Sequence, residues 1–163
     1  MKIRMVVAAL SLSAAAFVGI LQREGYTDTA IIPTKGDVPT VGFGTTGGVK
    51  MGDTTTPVKA VNRAMKDVAE YEGAIKRCVK SPLTQVEYDV YVDLSYNIGP
   101  TAFCNSTMVK RLNVADYRGA CDAILLFKYA AGYDCSTPGN KRCAGLWTDR
   151  LRSHSKCILE QDK

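Results

Sequence analysis

One histidine in 163 residues, His154, leaves little room for chemistry that needs an imidazole. None of the six cysteines lies in a recognisable nucleophile setting, so a cysteine peptidase is disfavoured. Nor do they form a CxxC pair, which argues against a zinc cluster or a dithiol redox motif. No run of lysine and arginine is interleaved with aromatics, so nucleic acid is not an expected partner. The formal charge of +5 is modest. It favours anionic partners such as cell wall or lipid head groups without choosing among them. Internal repeats and low-complexity linkers are also missing. The chain therefore divides only into an N-terminal segment, residues 1–22, and one domain, residues 23–163, long enough to bury a core.

What is present starts with those cysteines: Cys78, Cys104, Cys121, Cys135, Cys143 and Cys157. Even in number and scattered, they predict disulfides formed outside the reducing cytosol. Cys135 with Cys143 is the favoured pair, because Pro138 and Gly139 between them turn the chain back.

Lys2 and Arg4 precede an uncharged run from Met5 to Leu21, rich in alanine, serine and glycine. Basic, then apolar, then polar is the pattern of an export signal. At 17 residues the run is at the short edge of what spans a bilayer. A cleaved signal, a permanent anchor and a removable anchor are all open, and the weak hydrophobicity favours the last. The position of Glu24, three residues beyond the run, gives that reading a consequence. While the run is in the membrane Glu24 is pinned at its surface; once the run leaves, the helix bearing Glu24 can pack on the domain.

From Glu24 to Thr46 two acids and a hydroxyl fall in one predicted hairpin. Gly25 ends a helix, residues 26–32 favour a strand, residues 33–39 turn with Gly36 and Asp37 at the tip, and Thr40–Phe43 returns. The alternation of Gly42 and Gly44 predicts a close backbone approach or a bulge. Two carboxylates and a hydroxyl in that setting suit acid/base hydrolysis of a glycan.

Glu24-Gly25-Tyr26 followed by Gly36-Asp37-Val38-Pro39-Thr40-Val41-Gly42-Phe43-Gly44-Thr45-Thr46 resembles the catalytic segment of the phage lysozyme family, T-even type. Leu94-Ser95-Tyr96-Asn97-Ile98-Gly99, Ala102–Thr107 with Leu112-Asn113, and Gly145–Arg150 resemble later signatures of the same family. The leader resembles that of its signal-arrest-release endolysins. The resemblance implies an α+β, mainly helical lysozyme-like fold, with a small β-hairpin lobe and a helical lobe, preceded by a weakly hydrophobic N-terminal helix. It implies muramidase action on the β-1,4 bond between N-acetylmuramic acid and N-acetylglucosamine. The partners would be peptidoglycan strands, the host secretion machinery, and the inner membrane of a Gram-negative host through residues 5–21. The protein would be a monomer, membrane-held on the periplasmic side and then periplasmic. No cofactor and no metal is expected.

By family position the proton donor, second carboxylate and threonine are Glu24, Asp37 and Thr40. The intervals, 13 and 3 residues, depart from the usual family spacing, which puts the aspartate nearer the glutamate. Asp28 is therefore the alternative second carboxylate. Thr46, Tyr96, Ser106 and Asn140 are the expected glycan contacts, although Tyr96 is as well placed for the core and Ser106 for capping a helix. Trp147 reads as core, and Arg150, Arg152 and Lys156 as a solvated face. A lytic transglycosylase and a non-catalytic, membrane-tethered wall-binding protein are the competing readings.

Helices are expected over residues 58–79, with Val61, Met65, Val68, Ala69 and Ile75 inward; from a Thr84/Glu87 capping box to Ile98; over 106–113 and 115–129; and over 145–159.

Overall fold

The computed structural model describes residues 3–33 and 36–163. The order is α1 (Ala14–Glu24), β1 (Thr27–Ile31), β2 (Thr40–Gly42), α2 (Pro57–Cys78), α3 (Gln85–Ile98), α4 (Pro100–Cys104), α5 (Thr107–Leu112), α6 (Tyr117–Asp122), β3 (Tyr129–Ala130), β4 (Tyr133–Asp134) and α7 (Ala144–Gln161). The expected α+β architecture is present: a small hairpin lobe, a helical lobe, and α2 running between them.

The helical lobe forms around α3. Thr84 caps it by accepting the Glu87 N–H at 3.2 Å, while the Glu87 carboxylate accepts the Thr84 N–H at 2.8 Å. The predicted capping box is thus formed. Tyr88, Tyr91, Val92 and Leu94 are buried along α3 and join Phe103, Met108, Leu112, Ile124 and Ile75 in one core. Along α2 the inward residues are Ala60, Ala64, Val68, Ala74 and Ile75. Met65 faces solvent at 56% exposure, and Ala69 is exposed too. Val68 and Ile75 of the expected stripe are thus inward and Met65 and Ala69 are not, while Ala60 packs against the hairpin lobe at Gly42. The predicted 115–129 helix stops at Asp122 and tightens into a 3₁₀ turn, Ala123–Leu126.

All six cysteines are paired: Cys78–Cys104, Cys121–Cys157 and the expected Cys135–Cys143. The last closes the short loop that follows β4.

In the hairpin lobe β1 pairs antiparallel with β2, Thr27 opposite Gly42 and Ile31 opposite Thr40, with an irregularity between. The turn expected over residues 33–39 lies partly outside the described residues. Residues 53–55 add a third pairing stretch: the Ala30 N–H donates to Asp53 O at 2.9 Å, and the Thr55 N–H to Asp28 O at 2.8 Å. Gly42, at φ 68°, lies so close to α2 that a Cβ would sit 2.9 Å from that of Ala60. This is the close approach that the glycine alternation predicted.

The leader lies on the helical lobe. Met5 bridges Leu83 through two backbone hydrogen bonds, 2.8 and 2.9 Å. Val7, Leu10 and Ile20 are buried in the main core. The expected N-terminal helix covers only part of this run: a 3₁₀ turn (Val7–Ala9) is followed by a break, and α1 starts at Ala14. Ser13 causes the break. Its hydroxyl accepts the Ala16 N–H at 3.2 Å as N-cap, while its N–H and hydroxyl donate to Asp89 on α3 at 3.0 and 2.6 Å. Among the described residues no helix is long and apolar enough to cross a membrane. The division at residue 22 falls inside α1.

Candidate active site

Glu24 is the last residue of α1, and the helix ends there because the Gly25 N–H bonds back to Leu21 O at 3.2 Å. The carboxylate is thereby delivered to the junction of the lobes. Its Oε2 lies against Gly44: a Cβ on that glycine, at φ 80°, would stand 2.6 Å away. Any side chain at position 44 would displace the carboxyl, so the second of the alternating glycines is a packing requirement of the site.

Beyond Glu24 opens a cleft of about 390 Å³. One wall is the turn Gly44–Gly47 of the hairpin lobe; the other is Asp67, Glu70 and Tyr71 of α2 with Tyr96 and Asn97 of α3. The turn is fixed by paired backbone hydrogen bonds between Val41 and Thr45, 3.0 and 3.2 Å. It is also fixed from the side, because the buried Thr45 hydroxyl donates to Asp67 Oδ2 at 2.7 Å. Tyr96 donates to Phe43 O at 3.3 Å and its ring meets that of Tyr71 at a 4.9 Å centroid distance. The two tyrosines thus form one aromatic edge to the cleft.

The electrostatics favour a protonated Glu24. Partial burial, the largest influence, raises its pKa above the ordinary glutamate value; Asp93 and Asp149 push the same way, and Arg23 opposes them. The phenols of Tyr71 and Tyr96 are pushed up as well, first by burial and then by neighbouring carboxylates that include Glu24. They remain neutral hydrogen-bonding groups at any physiological pH.

The structure brings Glu24, Thr46 and Tyr96 to this cleft. Asp37 is exposed, on the segment leading into β2. Thr40 opens β2 and its hydroxyl donates to Val38 O at 3.2 Å. Neither borders the 390 Å³ cleft. Asp28, the alternative carboxylate, is exposed on β1 and accepts from Thr29 Oγ1 at 3.2 Å. Ser106 is 7% exposed and caps α5, accepting the Val109 N–H at 3.3 Å. Asn140 organises the disulfide loop: its Nδ2 donates to Asp134 O at 2.8 Å, and its Oδ1 accepts the Arg142 N–H at 2.8 Å.

Arg150 is not on a solvated face, contrary to expectation. It is 3% exposed, donates to Phe127 O at 3.0 Å, and holds the Asn97 side chain that borders the cleft. Burial lowers its pKa, yet a guanidinium stays charged. Trp147 is half-buried at the start of α7. Sequence reasoning missed Thr45, Asp67 and Tyr71. The last two lie on α2 off the apolar stripe, where residue type alone does not separate a cleft wall from a solvated face. No group of His, Cys, Asp and Glu among the described residues is arranged to hold a metal ion.

A helical lobe, a hairpin lobe and a carboxylic acid at their junction define a two-lobed, lysozyme-like protein. The chain belongs to the phage lysozyme family, whose profile matches residues 21–153. It is 40% identical to the endolysin of Salmonella phage P22 over 98 residues, 57% of this chain and 67% of that one. It is 36% identical to the SAR-endolysin of Pseudomonas phage phiKMV over 114 residues, 70% of each. The solved endolysin from Escherichia coli O157:H7 phage FAHEc1 superposes with a TM-score of 0.77 at 27% identity, covering 96% of both chains. Family and fold make the chain a peptidoglycan-lysing muramidase.

Proposed function

We propose that this endolysin cleaves the β-1,4 bond between N-acetylmuramic acid and N-acetylglucosamine with Glu24 as general acid, Asp37 as the second carboxylate and Thr40 as the residue that holds the attacking water. The observation that carries the proposal is the Glu24 carboxyl at the lobe junction, its pKa raised by burial. A carboxyl whose pKa is raised keeps its proton to higher pH and can pass it to the leaving glycosidic oxygen. Asp37, as a carboxylate, favours the oxocarbenium-like transition state and takes the proton from water. We assign inversion, for which the carboxyls must come to about 6.5–9.5 Å apart with glycan between them. Thr46 and Tyr96 border the path of the sugar chain, and Ser106 and Asn140 are further contacts by family position. No cofactor takes part in this reading, since the two carboxylates supply the acid and base.

The same proposal assigns the leader, residues 1–22, to export through the host secretion machinery and residues 5–21 to the inner membrane, until they leave it and the periplasmic enzyme becomes active. Relatives named SAR-endolysin support this. So does the chemistry of the docked leader. The Leu12 N–H donates to Glu72 at 2.8 Å and the Ser13 N–H to Asp89 at 3.0 Å. In hydrocarbon those carboxylates are out of reach, and the run must satisfy its own amides as a continuous helix. Membrane helix and docked leader are thus two folds of one segment, and only the second brings Glu24 to the cleft.

Glu24→Gln tests the acid. It should fold normally and lower lysis of outer-membrane-permeabilised cells by about 10²-fold or more. Retained lysis excludes Glu24. Product masses showing a hydrated rather than an anhydro end separate the hydrolase from a lytic transglycosylase.

A further inference from the structure

A second cavity, about 320 Å³, lies behind Glu24 between α1, α3 and α7. Glu24 borders both spaces, so groups in the rear cavity act on it without touching substrate. Arg23, the residue before Glu24, is the cation nearest in sequence and could pair with its carboxylate. It does not. Its guanidinium is ion-paired with Asp93 on α3. It also folds back along α1 by one turn, where Nη1 stands 3.6 Å from the point a Cβ on Gly19 would occupy. Asp93 supplies the countercharge.

We propose that Asp93 is a positioning residue: by binding Arg23 it holds that cation off Glu24 and leaves the carboxyl free to carry its proton. This rests on the reading of Glu24 as general acid. The charged groups around Glu24 are Arg23 on its own helix, Asp89 and Asp93 on α3, Asp149, Arg150, Arg152 and Lys156 on α7, and Asp67 and Glu70 on α2. Three of them matter to its charge. Asp93 and Asp149 favour the protonated form, and Arg23 favours the ionised one. Arg150 is committed to Phe127 O and Asn97, and Arg152 to Asp149 at 2.8 Å. Removing the Asp93 charge therefore acts twice in one direction: it deletes a carboxylate and unties a guanidinium beside Glu24. An opposite charge brought within a few ångströms lowers a carboxyl pKa by one unit or more.

The test is the pH profile of kcat on solubilised peptidoglycan, using the full-length soluble chain. Asp93→Asn should move the alkaline limb toward acid by about one unit, costing about tenfold above it. Asp93→Glu, which keeps the charge, should leave the limb in place. Arg23→Gln combined with Asp93→Asn should return the limb toward wild type, because the cation that Asp93 held is gone. If Asp93→Asn lowers kcat equally at every pH, or the double variant does not recover the limb, Asp93 is structural only and the proposal is overturned. Glu24→Gln run alongside separates the two readings. An active Glu24→Gln overturns the acid and this inference together; an inactive one with an unmoved limb in Asp93→Asn overturns this inference alone.

Discussion

The leader and the helical lobe are attached to the same core by opposite means. The lobe is closed by three disulfides and by a large cluster of buried side chains from α2 to α7. The leader contributes three buried side chains, Val7, Leu10 and Ile20. Leu12 and Phe17 pack against that core half-buried, and the remaining attachments are polar: the Met5–Leu83 bridge, Arg4 on Glu87, the Leu12 N–H on Glu72 and Ser13 on Asp89. Covalent closure suits a part that must not open. Hydrogen bonds to waiting carboxylates suit a part that arrives late, since the scaffold can fold first and present its acceptors. The catalytic glutamate we assign lies at the end of the leader's helix, so activity should follow the weaker attachment while global stability follows the stronger.

The largest effect should come from the lobe. Cys121 and Cys157 are both fully buried and join residues 36 apart. Replacing both by alanine should cost about 3–4 kcal/mol in denaturant unfolding, with the leader still docked below the transition. If the leader becomes protease-sensitive while α6 and α7 remain folded, the two attachments are not separate.

Arg4→Ala should cost less overall, about 2 kcal/mol, but act on the leader alone. Arg4 forks onto Glu87 with contacts of 2.7 and 3.1 Å, reaches Gln161 at 2.9 Å and stacks on the Tyr117 ring at 3.5 Å. Removing it leaves a fully buried carboxylate without its cation. The same contact sets a pH dependence. Burial alone would raise the Glu87 pKa, but hydrogen bonds from Arg4, the Thr84 N–H and Gln161 outweigh it and hold the pKa below the ordinary glutamate value. That stabilisation is present above the ordinary value and is lost as pH falls through the lowered one. Limited proteolysis of the leader should therefore accelerate in acid for the wild type. In Arg4→Ala it should already be fast at neutral pH, with a flatter pH dependence. An Arg4→Ala leader as protected as the wild type would break the comparison.

These contacts explain what the sequence could and could not tell. The fold class, the α3 capping box, the Cys135–Cys143 pair and the close approach at Gly42 were legible, because each depends on residues near in sequence or on a local backbone demand. The end of α1 at Glu24 was legible because a glycine follows it directly. The break at Ser13 was not. An apolar run with serines reads as one helix until a distant acceptor, Asp89, makes ending it favourable. Glu87 was legible as a cap residue but not as the seat of Arg4, 83 positions away. Arg150 looked exposed on an amphipathic pattern and is buried, because two acceptors outside α7 satisfy it. In each miss a long-range polar pair overrode a local pattern.

The smallest expected effect is also the sharpest division between leader stability and leader function. Ser13→Ala removes the α1 N-cap, for about 1 kcal/mol. It leaves Asp89 still accepting the residue 13 N–H at 3.0 Å and Gln85 Nε2 at 2.8 Å. A helix of 11 residues has little stability of its own, so its register is set by packing. The packing lies toward the other end: Ile20 in the core, Arg23 on Asp93, Glu24 on Gly44. Fraying the first turn should leave the last turn in place. Melting should fall by a few degrees while lysis changes less than about twofold, a shift under 0.5 kcal/mol in the barrier. If lysis instead drops tenfold or more, the start of α1 governs where Glu24 sits, and activity is as sensitive to the entry of the leader as to its end.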